Sequence, residues 1–251
     1  MRDGQTRRRF LATSAACAVA GVRSAHPQPS GITADQEEAG AFSLSRFKFI
    51  GGRRAQDNWD VEPRGDENLL RRVREVTNIR LTERTWAERV VHIDDSERMK
   101  ATPFLFMTGE VDFKFTPGER EIMAEFLRRG GFLLADDCIA NVPMQRYFYD
   151  ALRREVPLIL PGHQLEPIRN DHEIYHCFYD IPNGAPWWPN HEINARPRFP
   201  DLGLEFDGRL AIFLTAADIH CSWTQRHAAA RAVFEEAVQL GTNIIIYALS
   251  H

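Results

Sequence analysis

The chain has 251 residues, 43% hydrophobic and 26% charged, which are the proportions of an ordinary water-soluble globular protein and exclude collagen-like, mucin-like and wholly disordered chains. A formal charge of -4 offers no basic field for phosphate backbones and argues against a nucleic-acid role. No stretch approaches the roughly 20 apolar residues of a membrane span, and no internal repeat is visible, so the length implies one generous core with appendages.

The first residues read as an address. Thr6-Arg7-Arg8-Arg9-Phe10-Leu11 precedes an uncharged, small-residue stretch from Ala12 to Val22 and then Arg23-Ser24-Ala25, the layout of a twin-arginine signal peptide. Residues 1–25 are therefore expected to be the leader, 26–41 a polar linker and 42–251 a single α/β domain, periplasmic or secreted and exported folded. Ser14-Ala15-Ala16 before Cys17 lacks the large aliphatic residue of a lipoprotein signal. Loss of the leader removes Arg2, Arg7, Arg8, Arg9, Arg23 and Asp3, which moves the formal charge to about -8. Cys138, Cys177 and Cys221 remain, an odd number that suits buried free thiols better than a disulfide framework, although an oxidising compartment permits one bridge.

Beyond the linker, short apolar runs alternate with helical patterns, which predicts a mostly parallel sheet covered by helices. Phe42–Ile50 reads as the first strand. Glu67–Thr77 reads as a helix packing Leu69, Leu70, Val73 and Val76, with Asp66 as its N-cap. Pro103–Thr108, ending at Gly109, is a strand buried on both faces. Thr116-Pro117-Gly118-Glu119 is a capping box that opens a helix carrying Ile122, Met123, Phe126 and Leu127, stopped by Gly130-Gly131. Phe132–Ala135 is the next central strand, and Pro143–Glu155 a third helix. Leu204–Leu214 around Asp207-Gly208 is a hairpin. The last helix spans about Ala228–Leu240 and passes through Gly241 into a strand, Ile244–Tyr247.

In such sheets ligands sit beyond the carboxyl ends of the strands. The loops there carry Asn58, Trp59 and Asp60; Gly109 and Glu110; Asp136, Asp137 and Cys138; and Asp218 and His220. Adjacent Asp136 and Asp137 suit a divalent cation or an acid/base pair completed by His172, His176 or His220; otherwise Asp136 caps a helix and Asp137 pairs with an arginine. His172-Glu173-Ile174-Tyr175-His176 spells H-E-x-x-H, which holds zinc only on a helix, where both rings share a face. Pro167 and Pro182 flank the string, and β-branched and aromatic residues continue it, so a strand or extended loop is expected. Asn58-Trp59-Asp60 and Pro186-Trp187-Trp188-Pro189 offer aromatic surface suited to sugars, a lid or a partner protein, or else simply pack on the domain.

Taken together, Phe47–Ile50 with Gly51-Gly52, Asn58-Trp59-Asp60, Pro63-Arg64-Gly65-Asp66-Glu67-Asn68-Leu69-Leu70, Phe104–Gly109, Gly130–Cys138, and Asp171-His172 with His176–Tyr179 resemble the domain of unknown function 4159 family. The resemblance implies a class I glutamine-amidotransferase-like fold and no established activity. It also implies proline where this chain has Glu173, against a zinc-binding helix. Amidotransferases of that fold place a cysteine nucleophile at a strained turn after a central strand. Here that turn is expected to hold Asp137, with Cys138 one residue on, so the usual triad is missing.

The expected fold is thus a flavodoxin-like three-layer sandwich with a mostly parallel central sheet. The expected function is binding of a small polar ligand or a cell-envelope protein by Asn58, Trp59, Asp60, Gly109, Glu110, His172 and Asp218. The alternative is a hydrolase of carbohydrate or amide bonds in which Asp136, Asp137 and His176 act with His172, with or without a metal. The sequence specifies neither cofactor nor metal. Relatives of the family occur within larger membrane-attached proteins, which implies an envelope module as the noncatalytic form.

Overall fold

In a computed structural model of the chain, residues 40–50, 58–60, 63–138, 147–186, 199–225 and 228–251 are described. Seven strands form one sheet: β1 (Ser45–Lys48), β2 (Val90–His92), β3 (Phe104–Gly109), β4 (Phe132–Asp137), β5 (Glu166–Pro167), β6 (Leu202–Phe206) and β7 (Arg209–Thr215), in the order β2-β1-β3-β4-β7-β6-β5. β2, β1, β3, β4 and β7 run parallel, and β6 is antiparallel to both of its neighbours. The sheet is therefore mostly parallel, as expected. Every residue of β3 and β4 is buried, which is why Phe104–Met107 and Phe132–Ala135 read as unbroken apolar runs rather than alternating ones.

Among the described residues six helices cover the sheet: α1 (Pro63–Val76), α2 (Ser96–Ala101), α3 (Pro117–Arg128), α4 (Tyr147–Ile159), α5 (Ile219–Trp223) and α6 (Ala228–Ser250). α1, α5 and α6 pack together, whereas α3 packs against α2 and α4. Right-handed crossovers explain the division, because the chain moves one way along the sheet from β1 to β2 and the other way from β2 through β3 to β4. The result is a three-layer α/β arrangement.

Local signals placed several elements. Thr116 accepts from the Glu119 N–H while Glu119 returns a bond to the Thr116 N–H, and Pro117 starts α3. Gly130 takes φ 95° after the helix, and the Gly131 N–H donates to the Phe126 carbonyl at 2.9 Å. Asp207 and Gly208, at φ 51° and 76°, make the tight turn between β6 and β7.

Three readings are corrected. Ile244–Tyr247 is no strand: α6 continues through Gly241 to Ser250. Gly241 does not mark a passage into a strand: a Cβ there would lie 2.7 Å from Leu69 Cδ1, so the glycine lets α6 lie close against α1. Asp66 lies inside α1, which begins at Pro63. The third helix runs from Tyr147 to Ile159; its expected start at Pro143 falls outside the described residues, as do residues 1–39, Gly51, Gly52, Trp187 and Trp188. No helix among the described residues is long and apolar enough to cross a membrane.

Candidate functional site

Asp136 and Asp137 extend β4 by two residues beyond its expected end, and a strand's alternation sends consecutive side chains to opposite faces. Asp136 faces α5 and accepts the N–H groups of Ile219 (3.2 Å) and His220 (2.8 Å). Asp137 faces the other layer and accepts the Tyr149 N–H in the first turn of α4, at 2.9 Å. Each carboxylate thus serves a helix start, which corrects the paired-carboxylate reading on simple pleat geometry. Burial, followed by the nearby charge of Asp218, holds the Asp136 carboxyl well above its usual range.

Cys138 shares the Asp136 side of the strand, and Sγ lies 3.4 Å from Cys221 Sγ on α5. Its thiol also donates toward Glu110 Oε1 at 3.8 Å, just past the end of β3. Ligand atoms of Cys138, Asp218 and Cys221 all lie within 4.8 Å of one another. Asp218 connects β7 to α5 with left-handed backbone angles, φ 56° and ψ 46°, and its side chain caps nothing. Hydrogen bonding to Cys221, burial and the Asp218 charge all raise the Cys138 thiol. The bond with Cys138 lowers Cys221, but burial and Asp218 outweigh it and push that thiol up to about 12. Both sulfurs therefore stay protonated at neutral pH, and neither is an activated nucleophile.

Next to this cluster lies a buried ionic network. Arg46, on β1, grips Asp66 bidentately, Nη2–Oδ1 at 2.5 Å and Nε–Oδ2 at 3.2 Å, with both side chains fully buried. His220 Nε2 lies 3.2 Å from the same Oδ1, and the Arg46 guanidinium sits 4.6 Å from the Phe106 ring centre. Burial alone would raise Asp66, but Arg46 and His220 hold it below the ordinary carboxylate value. Asn68 donates to the Trp223 carbonyl at 2.8 Å, which joins α1 to α5. Gly65 allows that approach. A Cβ on it would meet the His220 ring at 2.9 Å and the His220 carbonyl at 3.0 Å. Gly65→Ala should therefore destabilise by about 1–3 kcal/mol, even though alanine in an exposed helix interior gains up to about 1 kcal/mol over glycine. A rise in the thermal midpoint would contradict the packing of α1 on α5.

The other sequence candidates lie elsewhere. His172 Nε2 contacts Glu205 Oε1 at 3.2 Å, and Glu205 pairs with Leu210 near the amino end of β7. Asp136 pairs with Thr215 at the carboxyl end, five residues away and about 16 Å along the strand. His172 therefore cannot share a proton with Asp136. His176 bonds Asp180 Oδ1 (2.6 Å) and the Asn170 carbonyl (2.7 Å), and the latter is the leading cause of its raised pKa. Between these histidines runs a single 3-10 turn, Glu173–Tyr175, rather than a strand or an α-helix; their side-chain partners differ, and the zinc-protease geometry is missing. Trp59 stacks on Trp86 with centroids 5.7 Å apart, next to Lys48 and the β1 side of the sheet. Asp60 is exposed, and the Asn58 side chain is outside the described residues. Gly109 is covered, since a Cβ there would meet Phe49 and Phe148, both at 3.2 Å. Two concavities, one between α2 and α3 and one beside Asn170 and Asp180, are lined by none of the candidates.

Of the expected site residues, the structure brings Asp136, Glu110 and Asp218 to one edge, together with Cys138. Cys221 is the member the sequence did not single out. The usable signal was Asp136-x-Cys138, two polar positions on one strand face at the carboxyl end of a central strand. No curated protein matches the chain. Residues 48–249 match the family described as a domain of unknown function (DUF4159), and the chain belongs to that family.

Proposed function

We propose that the protein is an exported α/β module of the amidotransferase-like, flavodoxin-like type, lacking the usual cysteine nucleophile, that binds a small polar ligand at the carboxyl edge of β3, β4 and β7. The parallel strands' order, β2-β1-β3-β4-β7, supports the fold assignment, since it is the doubly wound order of flavodoxin-like sheets. The observation that carries the binding reading is the convergence of Cys138, Asp218 and Cys221, with Glu110 beside Cys138, at that edge. Carboxylates gathered there favour a ligand bearing a positive group. The Cys138 thiol contacts Cys221 and Glu110 rather than an imidazole, which supports binding over acyl transfer.

A thermal-shift panel of amino acids, polyamines and monosaccharides on chelator-treated protein tests the reading. A ligand at about 100 times its Kd adds about 2.7 kcal/mol, or a rise of roughly 5–10 °C for a domain of this size. At least one compound should raise the midpoint of the natural protein and not that of Asp218→Asn. No shift from any compound, or a shift that Asp218→Asn leaves intact, would refute it. Export has its own test: changing Arg7, Arg8 and Arg9 together to lysine keeps the leader's charge and should leave the protein in the cytoplasmic fraction. Unchanged export of that variant would remove the twin-arginine assignment.

A further inference from the structure

Among the described residues, Cys138, Asp218 and Cys221 are the group of thiol and carboxylate side chains whose ligand atoms converge within 4.8 Å. We infer that these three side chains form a binding site for a soft divalent cation of the zinc class, with a fourth coordination position open toward Glu110. The inference rests on the ligand-binding reading of this edge and names the class of ligand.

Three features of the cluster converge on it. The first is spacing. Two thiolates about 2.3 Å from a tetrahedral zinc ion stand about 3.8 Å apart, and the sulfurs here are 3.4 Å apart, so an ion enters with a few tenths of an ångström of movement. The second is the direction of Asp218. An aspartate at the start of a helix ordinarily bonds that helix's own N–H groups. Here Asp136 has taken the N–H groups of Ile219 and His220, and the left-handed backbone at Asp218 turns its carboxylate toward the thiols instead. The third is rigidity. Cys138 directly follows the central strand β4 and its N–H donates to the Gly109 carbonyl at 3.1 Å; Cys221 lies on α5, whose last residue is the fully buried Trp223.

The donor set selects the ion. Thiolates disfavour magnesium and calcium and favour zinc-class ions, and three protein ligands leave one position for water or a substrate donor. Binding exchanges the two thiol protons for one divalent ion: two S–H bonds break, two metal–sulfur bonds form, and two protons pass to buffer with no change of oxidation state. Glu110, half-buried and 3.8 Å from Cys138 Sγ, stands where it can accept a hydrogen bond from whatever fills the fourth position.

The test is titration of the reduced, chelator-treated full chain with cobalt(II) chloride, with no organic ligand present. One equivalent should produce a thiolate-to-cobalt charge-transfer band together with the visible absorption of tetrahedral cobalt, and zinc chloride should remove both. Cys138→Ser and Cys221→Ser should each abolish the band, Asp218→Asn should weaken binding about tenfold or more, and Cys177→Ser should leave it unchanged. No charge-transfer band in the reduced natural protein would overturn the inference without recourse to any variant. A Cys138–Cys221 disulfide in protein isolated from cells without added oxidant would overturn it as well. If cobalt fails while a compound of the thermal-shift panel still binds, the metal site alone falls; if both fail, the reading of this edge falls with it.

Discussion

Replacing Asp66 with alanine is expected to cost about 3–5 kcal/mol of unfolding free energy, measured by urea denaturation, because it strands the buried Arg46 guanidinium without its bidentate partner. The size follows from burial: the same pair on the surface would be worth about 1 kcal/mol or less, whereas neither side chain here reaches water. The double variant Arg46→Met/Asp66→Leu should recover much of the loss, since removing both charges leaves no ion to desolvate. The pH dependence has a definite sign. Asp66 is held below the ordinary carboxylate value, so its contribution is complete above that value and is lost as the pH falls through the lower folded one. A loss below about 1 kcal/mol for Asp66→Ala would contradict the network.

Trp223→Ala should be comparably damaging, about 3–5 kcal/mol. Trp223 is fully buried at the junction of α1, α5 and α6, with ring centroids 5.6 Å from Phe106 and 5.7 Å from His220, and its Nε1 donates to the Ala237 carbonyl at 3.0 Å. Gly241 exists to make room for it and for Leu69. Truncation leaves a cavity and removes that hydrogen bond together. Trp223→Phe should cost less, because it keeps most of the volume and loses mainly the hydrogen bond, about 0.5–1.5 kcal/mol with some cavity cost added. If alanine and phenylalanine proved equally mild, α5 would not be the anchor of the cysteine pair.

How much of this was legible in the sequence depended on whether the determinant was local. The α3 capping box, the Gly130 stop and the Asp207-Gly208 turn each lie within a few residues, and the structure carries all three. Ile244–Tyr247 failed for an equally physical reason: a short apolar run does not distinguish a buried helix from a strand, and Gly241 looked like punctuation when its purpose is contact with residues far away in sequence. The prolines flanking the H-E-x-x-H string argue against a zinc-binding helix, and the segment forms a 3-10 turn that spacing rules for strands and α-helices do not anticipate. At the site, the sequence places Asp136 and Asp137 at the strand end, but their adjacency in sequence does not make them neighbours in space, because the pleat sends them to opposite faces. Cys138 and Cys221 are 83 residues apart; their meeting is set by β4 lying parallel to β7, a long-range register that no local pattern encodes.

The most direct test of the account is disulfide mapping after brief oxidation of the folded chain with diamide, which accepts the two electrons and two protons that two thiols release on bonding, followed by alkylation and peptide mass spectrometry. The sulfur pair 3.4 Å apart predicts a Cys138–Cys221 cross-linked peptide with Cys177 recovered alkylated. A cross-link through Cys177, or Cys138 and Cys221 both recovered as separate alkylated peptides, would contradict the juxtaposition on which the site depends.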